Sequence, residues 1–188
     1  AIRDMDRDRA AYAGLSKVER ASRLIYLNKT CFNGLFRVNS AGAFNTPFGR
    51  YKNPNIVNEP VLRAVNRYFA AGGVTFFHED FAKTLARVEP GALAYLDPPY
   101  DPVSDTASFT GYSKGGFDKN EQRRLKRCCD DLTRRGVKFV LSNSATDFIK
   151  DLYQDYEILV VKAKRAINAD ASRRGAVEEV LIRNYGSE

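Results

Sequence analysis

The chain has 188 residues, 44% of them apolar and 28% charged, a mixture that suits one folded globular body and excludes wholesale disorder. Thirty basic against 23 acidic residues leave a formal charge of +7, which points to a polyanionic partner, nucleic acid first among them. No apolar run nears the roughly 18 residues of a membrane span, three cysteines with Cys128 and Cys129 adjacent make no disulfide framework, and one histidine makes no zinc site.

The first residues, A-I-R-D-M-D-R-D-R, are charged and do not read as a secretory signal, so a reducing cytoplasm is expected. Lys17 to Thr30 reads as a helix, with Val18, Ala21, Leu24, Ile25 and Leu27 or Asn28 near one face. Phe32 to Pro54 changes character, with five glycine or proline positions and four phenylalanines. Within it, Leu35–Asn39 and Ala43–Thr46 flank S-A-G and predict a β-hairpin. Asn58 caps a helix to about Ala71, with Pro60 in its first turn and Gly72-Gly73 as its stop. Val74–His78 reads as a short strand and Phe81–Arg87 as a short helix.

Ala92–Leu96 is an apolar strand that must end at Asp97-Pro98-Pro99-Tyr100, because neither proline can donate to a sheet. Pro102–Phe117 is a long polar loop of the kind that usually carries function. Asp118 with Glu121 predicts a capping box for a helix to about Arg135. Val137–Ser142 is a strand, a short helix follows from Ala145, and Tyr156–Lys164 with Ala176–Asn184 suit a terminal antiparallel pair. This order predicts an α/β fold with a mostly parallel sheet, interrupted early by the hairpin.

Ligands of open parallel sheets sit at the carboxyl ends of the strands, where D-P-P-Y lies. Asp97 offers a carboxylate, Pro98 a carbonyl with no competing N–H, Pro99 rigidity, and Tyr100 a flat face. Two acceptors and a stacking ring suit an exocyclic amine on an aromatic base, which such a site orients toward an electrophile. A plain proline turn capped by Asp97 is the alternative. His78 is read as structural and has no catalytic part.

With these residues in place, the chain resembles DNA adenine-N6 methyltransferases of the Dam type, the class whose target-recognition region precedes D-P-P-Y. The resemblance spans Ile2 to Tyr185 and is most specific over Y-L-N-K-T-C-F-N-G-L-F-R-V-N-S-A-G-A-F-N-T-P-F-G-R-Y-K-N-P, Tyr26 to Pro54, and L-A-Y-L-D-P-P-Y-D-P-V-S-D-T-A-S-F-T-G-Y, Leu93 to Tyr112. It implies an S-adenosylmethionine-dependent, Rossmann-like methyltransferase sheet carrying a small helical and β-hairpin insert. Residues 1–72 would be the target-recognition region, with the hairpin at 32–54, and residues 73–188 the C-terminal part of the catalytic domain.

The implied reaction moves a methyl group from S-adenosyl-L-methionine to adenine N6 in double-stranded DNA, with the base flipped out of the duplex. GATC is the implied target, and a bacterial or phage-encoded enzyme, with restriction-modification as one setting, the implied context. By the resemblance, Asp97, Pro98, Pro99 and Tyr100 form the catalytic turn, and Asp80, Phe81 and Asp97 bind the cofactor. Asp80 alone would read as a helix N-cap. Phe32, Asn33, Leu35, Arg37, Pro47, Arg50, Tyr51 and Lys52 match DNA-contacting positions. Arg37 suits guanine O6 and N7, whereas Arg50 and Lys52 suit phosphates. Phe44 and Phe48 are expected in the hairpin core. Lys162, Lys164, Arg165, Arg173 and Arg174 suggest a loop that grips phosphate, and Ser142-Asn143 resembles a stretch lining the target pocket.

The family's W-x-G-G-K-like element and glycine-rich F-x-G-x-G loop have no counterpart here. The sheet is therefore expected to be incomplete at the N-terminus, with an exposed interior edge. These residues alone are expected to bind the cofactor poorly and not to methylate, a missing N-terminal segment or partner chain completing the site. No metal and no membrane are expected. The other functions weighed are N4-cytosine or RNA adenine methylation, and a DNA-binding remnant without catalysis. Asp at the motif's first position favours adenine, and the hairpin favours DNA.

Overall fold

A computed structural model describes residues 2–103, 117–164 and 176–186. Most of the expected Pro102–Phe117 loop, and Arg165, Arg173 and Arg174, lie outside the described residues. The chain divides into two compact units, Ala1–Phe76 and Phe77–Glu188, the division falling four residues beyond the expected boundary.

In the first unit a 3-10 turn, Ile2–Arg7, leads into α1 (Arg9–Ala13) and α2 (Lys17–Thr30). Ser16 and Glu19 close a reciprocal capping box, Ser16 Oγ accepting from Glu19 N–H and Glu19 Oε2 from Ser16 N–H at 2.8 Å. The buried stripe of α2 is Arg23, Leu27 and Thr30, while Val18 is 75% and Leu24 51% exposed, which corrects the expected face. Arg23 turns inward because its charge is matched there. Nε donates to Ile2 C=O and Nη2 to Arg3 C=O, both at 2.9 Å, and Nη2 pairs with Asp6 at 3.0 Å.

The hairpin forms, but as a bridged loop rather than a ladder, with single bridges Cys31–Phe48 and Val38–Phe44. Its turn is Asn39–Gly42, closed by Gly42 N–H on Asn39 C=O at 2.8 Å, with Gly42 left-handed at φ 80°. Left-handed Asn33 and Gly34 on one arm and Pro47 on the other interrupt regular pairing. Phe44 packs with Leu27 and Cys31 in a small core. Phe48 is 55% exposed, contrary to expectation. α3 (Glu59–Ala70) has the expected Asn58 cap and Pro60, and left-handed Gly72 and Gly73 follow it.

The second unit begins with residues 77–80 and α4 (Phe81–Ala86), followed by β1 (Leu93–Leu96), α5 (Lys119–Arg134), β2 (Lys138–Ser144), α6 (Asp147–Leu152), β3 (Glu157–Lys164) and β4 (Ala176–Arg183). The sheet order is β1-β2-β4-β3. β1 runs parallel to β2 from Leu93↔Lys138 to Leu96↔Leu141, whereas β4 is antiparallel to both β2 and β3. In strand direction the mostly parallel expectation holds: β1, β2 and β3 point the same way, and among the described strands β4 opposes them, forming the expected terminal antiparallel pair with β3. β4 returns from β3 and slots between β3 and β2, so it must oppose both.

Val74–His78 is not a strand, and His78 is exposed. A strand exists through a neighbour's backbone donors and acceptors, and among the described residues none pairs with this segment. Among the described residues β1 pairs on one side only, and its Leu93 and Tyr95 are 60% and 65% exposed. The core lies on the other face, where Leu125, Cys129 and Leu132 of α5 meet Phe139, Leu141, Val180 and Ile182. Burial there pushes the Cys129 thiol up to about 12. Arg135 ties α4 to the end of α5, donating to Val88 C=O at 2.7 Å and Leu85 C=O at 2.8 Å.

Candidate active site and nucleic-acid contacts

β1 delivers D-P-P-Y to its carboxyl end, as the prolines require. Asp97 is exposed, and Pro98, Pro99 and Tyr100 are half-buried. One carboxylate oxygen of Asp97, Oδ1, accepts from the buried Ser142 hydroxyl at 2.9 Å. No described donor takes its other oxygen or the Pro98 carbonyl. Among the described residues, two acceptors therefore stand open beside an aromatic ring. Burial raises the Tyr100 phenol above its usual range, with the Ser142 side chain pulling in the opposite direction. The turn can thus receive a planar group that brings two N–H donors on one nitrogen.

Asp80 is a helix cap: Oδ1 accepts from Ala82 N–H at 2.9 Å. The same oxygen meets the Arg124 guanidinium, and these two contacts hold its carboxyl below the usual carboxylate range, Arg124 being the larger influence. Arg124 also lies 4.3 Å over the Phe81 ring, which packs 6.0 Å from Phe117. Both described partners fall on Oδ1, so Oδ2 remains an acceptor beside Phe81. Sequence reasoning missed Arg124; an arginine inside a charged helix gives no signal until the fold brings it to α4.

In the first unit, Phe32, Asn33, Pro47, Arg50 and Tyr51 line one cavity of about 530 Å³ with Phe48 and Gly49. Leu35, Arg37 and Lys52 are not among its lining residues. Gly49 is required by close approach, since a Cβ there would stand 2.3 Å from the Tyr51 ring and 2.9 Å from Cys31 C=O. Exposed Arg37 is held across the hairpin by Asn45, with Nε donating to Asn45 Oδ1 at 2.9 Å and Nη2 to Asn45 C=O at 3.3 Å. Asn45 was also not foreseen, because its role depends on the register of the two arms.

Among the described residues no helix is long and apolar enough to cross a membrane. Residues 4–167 match the D12 class N6 adenine-specific DNA methyltransferase family. The chain is 39% identical over 186 residues to the type II methyltransferase M1.LlaDCHI of Lactococcus lactis subsp. cremoris, covering 99% of this chain and 65% of that protein. It is 43% identical over 171 residues to the type II methyltransferase M.MjaIII of Methanocaldococcus jannaschii, covering 90% and 58%. With the DNA adenine methylase of Escherichia coli K12 it shares 35% identity over 162 residues, covering 86% and 57%. The chain therefore spans between 57% and 65% of the length of these relatives.

Proposed function

The chain belongs to the D12 class of N6 adenine-specific DNA methyltransferases, and on that premise we propose that its D-P-P-Y turn receives the exocyclic amine of an adenine flipped out of duplex DNA. The observation that supports this reading is a pair of acceptors beside Tyr100, the second Asp97 oxygen and the Pro98 carbonyl, that no donor among the described residues takes. Each acceptor takes one amine hydrogen, and Tyr100 stacks on the ring. The nitrogen is then held in one orientation, so geometry supplies much of the rate. No group of altered protonation is needed at this step, and His78 takes no part. Pro99 keeps the turn rigid, and Ser142 holds the carboxylate plane.

S-adenosylmethionine, when bound, supplies the methyl group. The residues present fit part of such a ligand. Asp80 Oδ2 would accept from its adenine amine, Phe81 would pack on that ring, and Asp97 would lie near its methionine end. The hairpin would read the site, GATC by resemblance, with Arg37 on a guanine and Asn45 steering its fork. Leu35 and Pro47 would touch base edges, Asn33 and Tyr51 would contact backbone or bases, and Phe32 would wedge beside the flipped base. Arg50, Lys52 and the basic residues around Lys162 would hold phosphates.

The test is a duplex carrying 2-aminopurine in place of the target adenine. Binding is expected to change its fluorescence, Tyr100→Ala to remove that change, and Arg37→Ala to remove the dependence on one guanine. Binding that is blind to sequence, with no fluorescence response, would overturn the reading. In any preparation that transfers labelled methyl groups to DNA, the label is expected in N6-methyladenine; recovery in N4-methylcytosine would replace adenine as the substrate.

A further inference from the structure

Tyr100 is held through the peptide groups on either side of it. The Pro99 carbonyl, in the peptide before it, accepts from Gln122 Nε2 at 2.9 Å. The Asp101 N–H, in the peptide after it, donates to Asn143 Oδ1 at 2.9 Å. The two side chains also meet, Asn143 Nδ2 donating to Gln122 Oε1 at 3.2 Å. Asn143 Oδ1 accepts a second N–H, from Ser144, at 2.9 Å. Two donors converging on that atom fix which end of the amide is oxygen, and this dictates the orientation of Gln122 in turn.

Both amides are 0% exposed. Gln122 opens the inward stripe of α5, ahead of Leu125, Cys129 and Leu132, where an apolar side chain would continue the core. Burying a primary amide costs free energy unless both ends are bonded. Here both ends are used: one end of each amide holds the turn, and the other end meets the other amide. The turn needs outside partners because Pro98 and Pro99 bring no N–H. A third tie completes the support: Thr146, the cap of α6, donates to Asp101 Oδ2 at 2.7 Å.

We propose that Gln122 and Asn143 are positioning residues for Tyr100. By clamping both flanking peptide planes they fix the backbone angles of Tyr100, and with these the direction from which its ring can swing. That the ring serves as a base platform rests on the function proposed above; the clamp itself does not.

The experiment is carbon–proton NMR of the full chain labelled at tyrosine ring carbons, with the Tyr100 signal assigned by Tyr100→Phe. Gln122→Met keeps the volume and removes both hydrogen bonds. It is expected to shift or broaden the Tyr100 signal while the Tyr153 signal, deep in the same core, stays in place. Leu125→Met, one turn along α5, is expected to leave Tyr100 unchanged. An unmoved Tyr100 in folded Gln122→Met, or equal movement of Tyr153, would overturn the proposal. Hydrogen exchange needs no substitution. The Asp101 amide lies outside any ladder, yet it is expected to exchange at least about tenfold slower than an open loop amide; unprotected exchange would overturn the proposal as well. Gln122→Met is also expected to weaken the 2-aminopurine response by less than Tyr100→Ala does. A wild-type chain with no such response would refute the base-receiving function, while the NMR and exchange results would still decide the clamp.

Discussion

Arg23→Met replaces a buried cation with an apolar side chain of similar length. Arg23 is 4% and Asp6 11% exposed at the side chain, so water does little to screen the pair. The change strips three partners at once: the Asp6 carboxylate and the carbonyls of Ile2 and Arg3. Breaking a buried ion pair from one side costs about 3–5 kcal/mol. The cost here has a ceiling, because neither the 3-10 turn nor α1 contains a buried residue and both can lift off to rehydrate their groups. We expect a loss of about 3 kcal/mol in urea-induced unfolding, at the low end of that range. Hydrogen exchange should show where it falls. Asp6 Oδ2 accepts the Phe44 N–H at 2.8 Å, so the Phe44 amide should lose protection together with residues 2–13. Adding Asp6→Leu to Arg23→Met should recover part of the loss by removing the stranded charge. A single variant within about 1 kcal/mol of wild type, the range of an exposed pair, would refute the reasoning.

Gly49→Ala should push the Tyr51 ring out of its place against the chain and cost about 1–3 kcal/mol, read by thermal unfolding and by the Tyr51 ring signal; an unmoved Tyr51 would refute it. The Tyr153 hydroxyl is buried beside the Cys129 thiol, a weak partner, and makes no well-formed hydrogen bond among the described residues, so Tyr153→Phe should be neutral to within about 1 kcal/mol in urea. A clear loss would mean that the hydroxyl is satisfied. The Asp80 carboxyl is depressed by Arg124 and the Ala82 N–H, so its contribution is full above the ordinary carboxylate pKa and fades as pH falls through the depressed value. The stability difference between wild type and Asp80→Asn should therefore close on acidification, and a difference that persists at the acid extreme would count against the ion pair. Arg37→Ala should relax discrimination at one guanine by about 1–3 kcal/mol, and Asn45→Ala by less, in competition binding; equal loss on every sequence would reduce Arg37 to a phosphate contact.

Much of the local structure was legible because local chemistry decides it. Asn58 with Pro60, and Asp118, each mark a helix start within a few residues, since a cap needs only its own first turn. The end of β1 was equally plain, because a proline cannot donate whatever lies beside it. D-P-P-Y is contiguous, so the acceptor pair and the ring could be read directly from the sequence.

Other features wait on long-range partners. Val74–His78 has the composition of a strand, but a strand is a relation between two segments, and here no described segment pairs with it. Arg23 on the inward face and Val18 on the outward one reverse the usual preference, because the 3-10 turn places Asp6 and two carbonyls where the cation can reach them. Phe44 and Phe48 look alike in the sequence and part company only when the hairpin register turns one toward Leu27. Gln122 reads as an ordinary polar helix residue until α5 lies against the turn after β1. What the sequence by itself determined is where helices are capped, where β1 stops and which acceptors the turn offers, all set by bonds within a few residues. Only the tertiary structure decided which polar groups were buried and what they hold in place, because a buried hydrogen bond depends on two partners that the sequence leaves more than 20 residues apart.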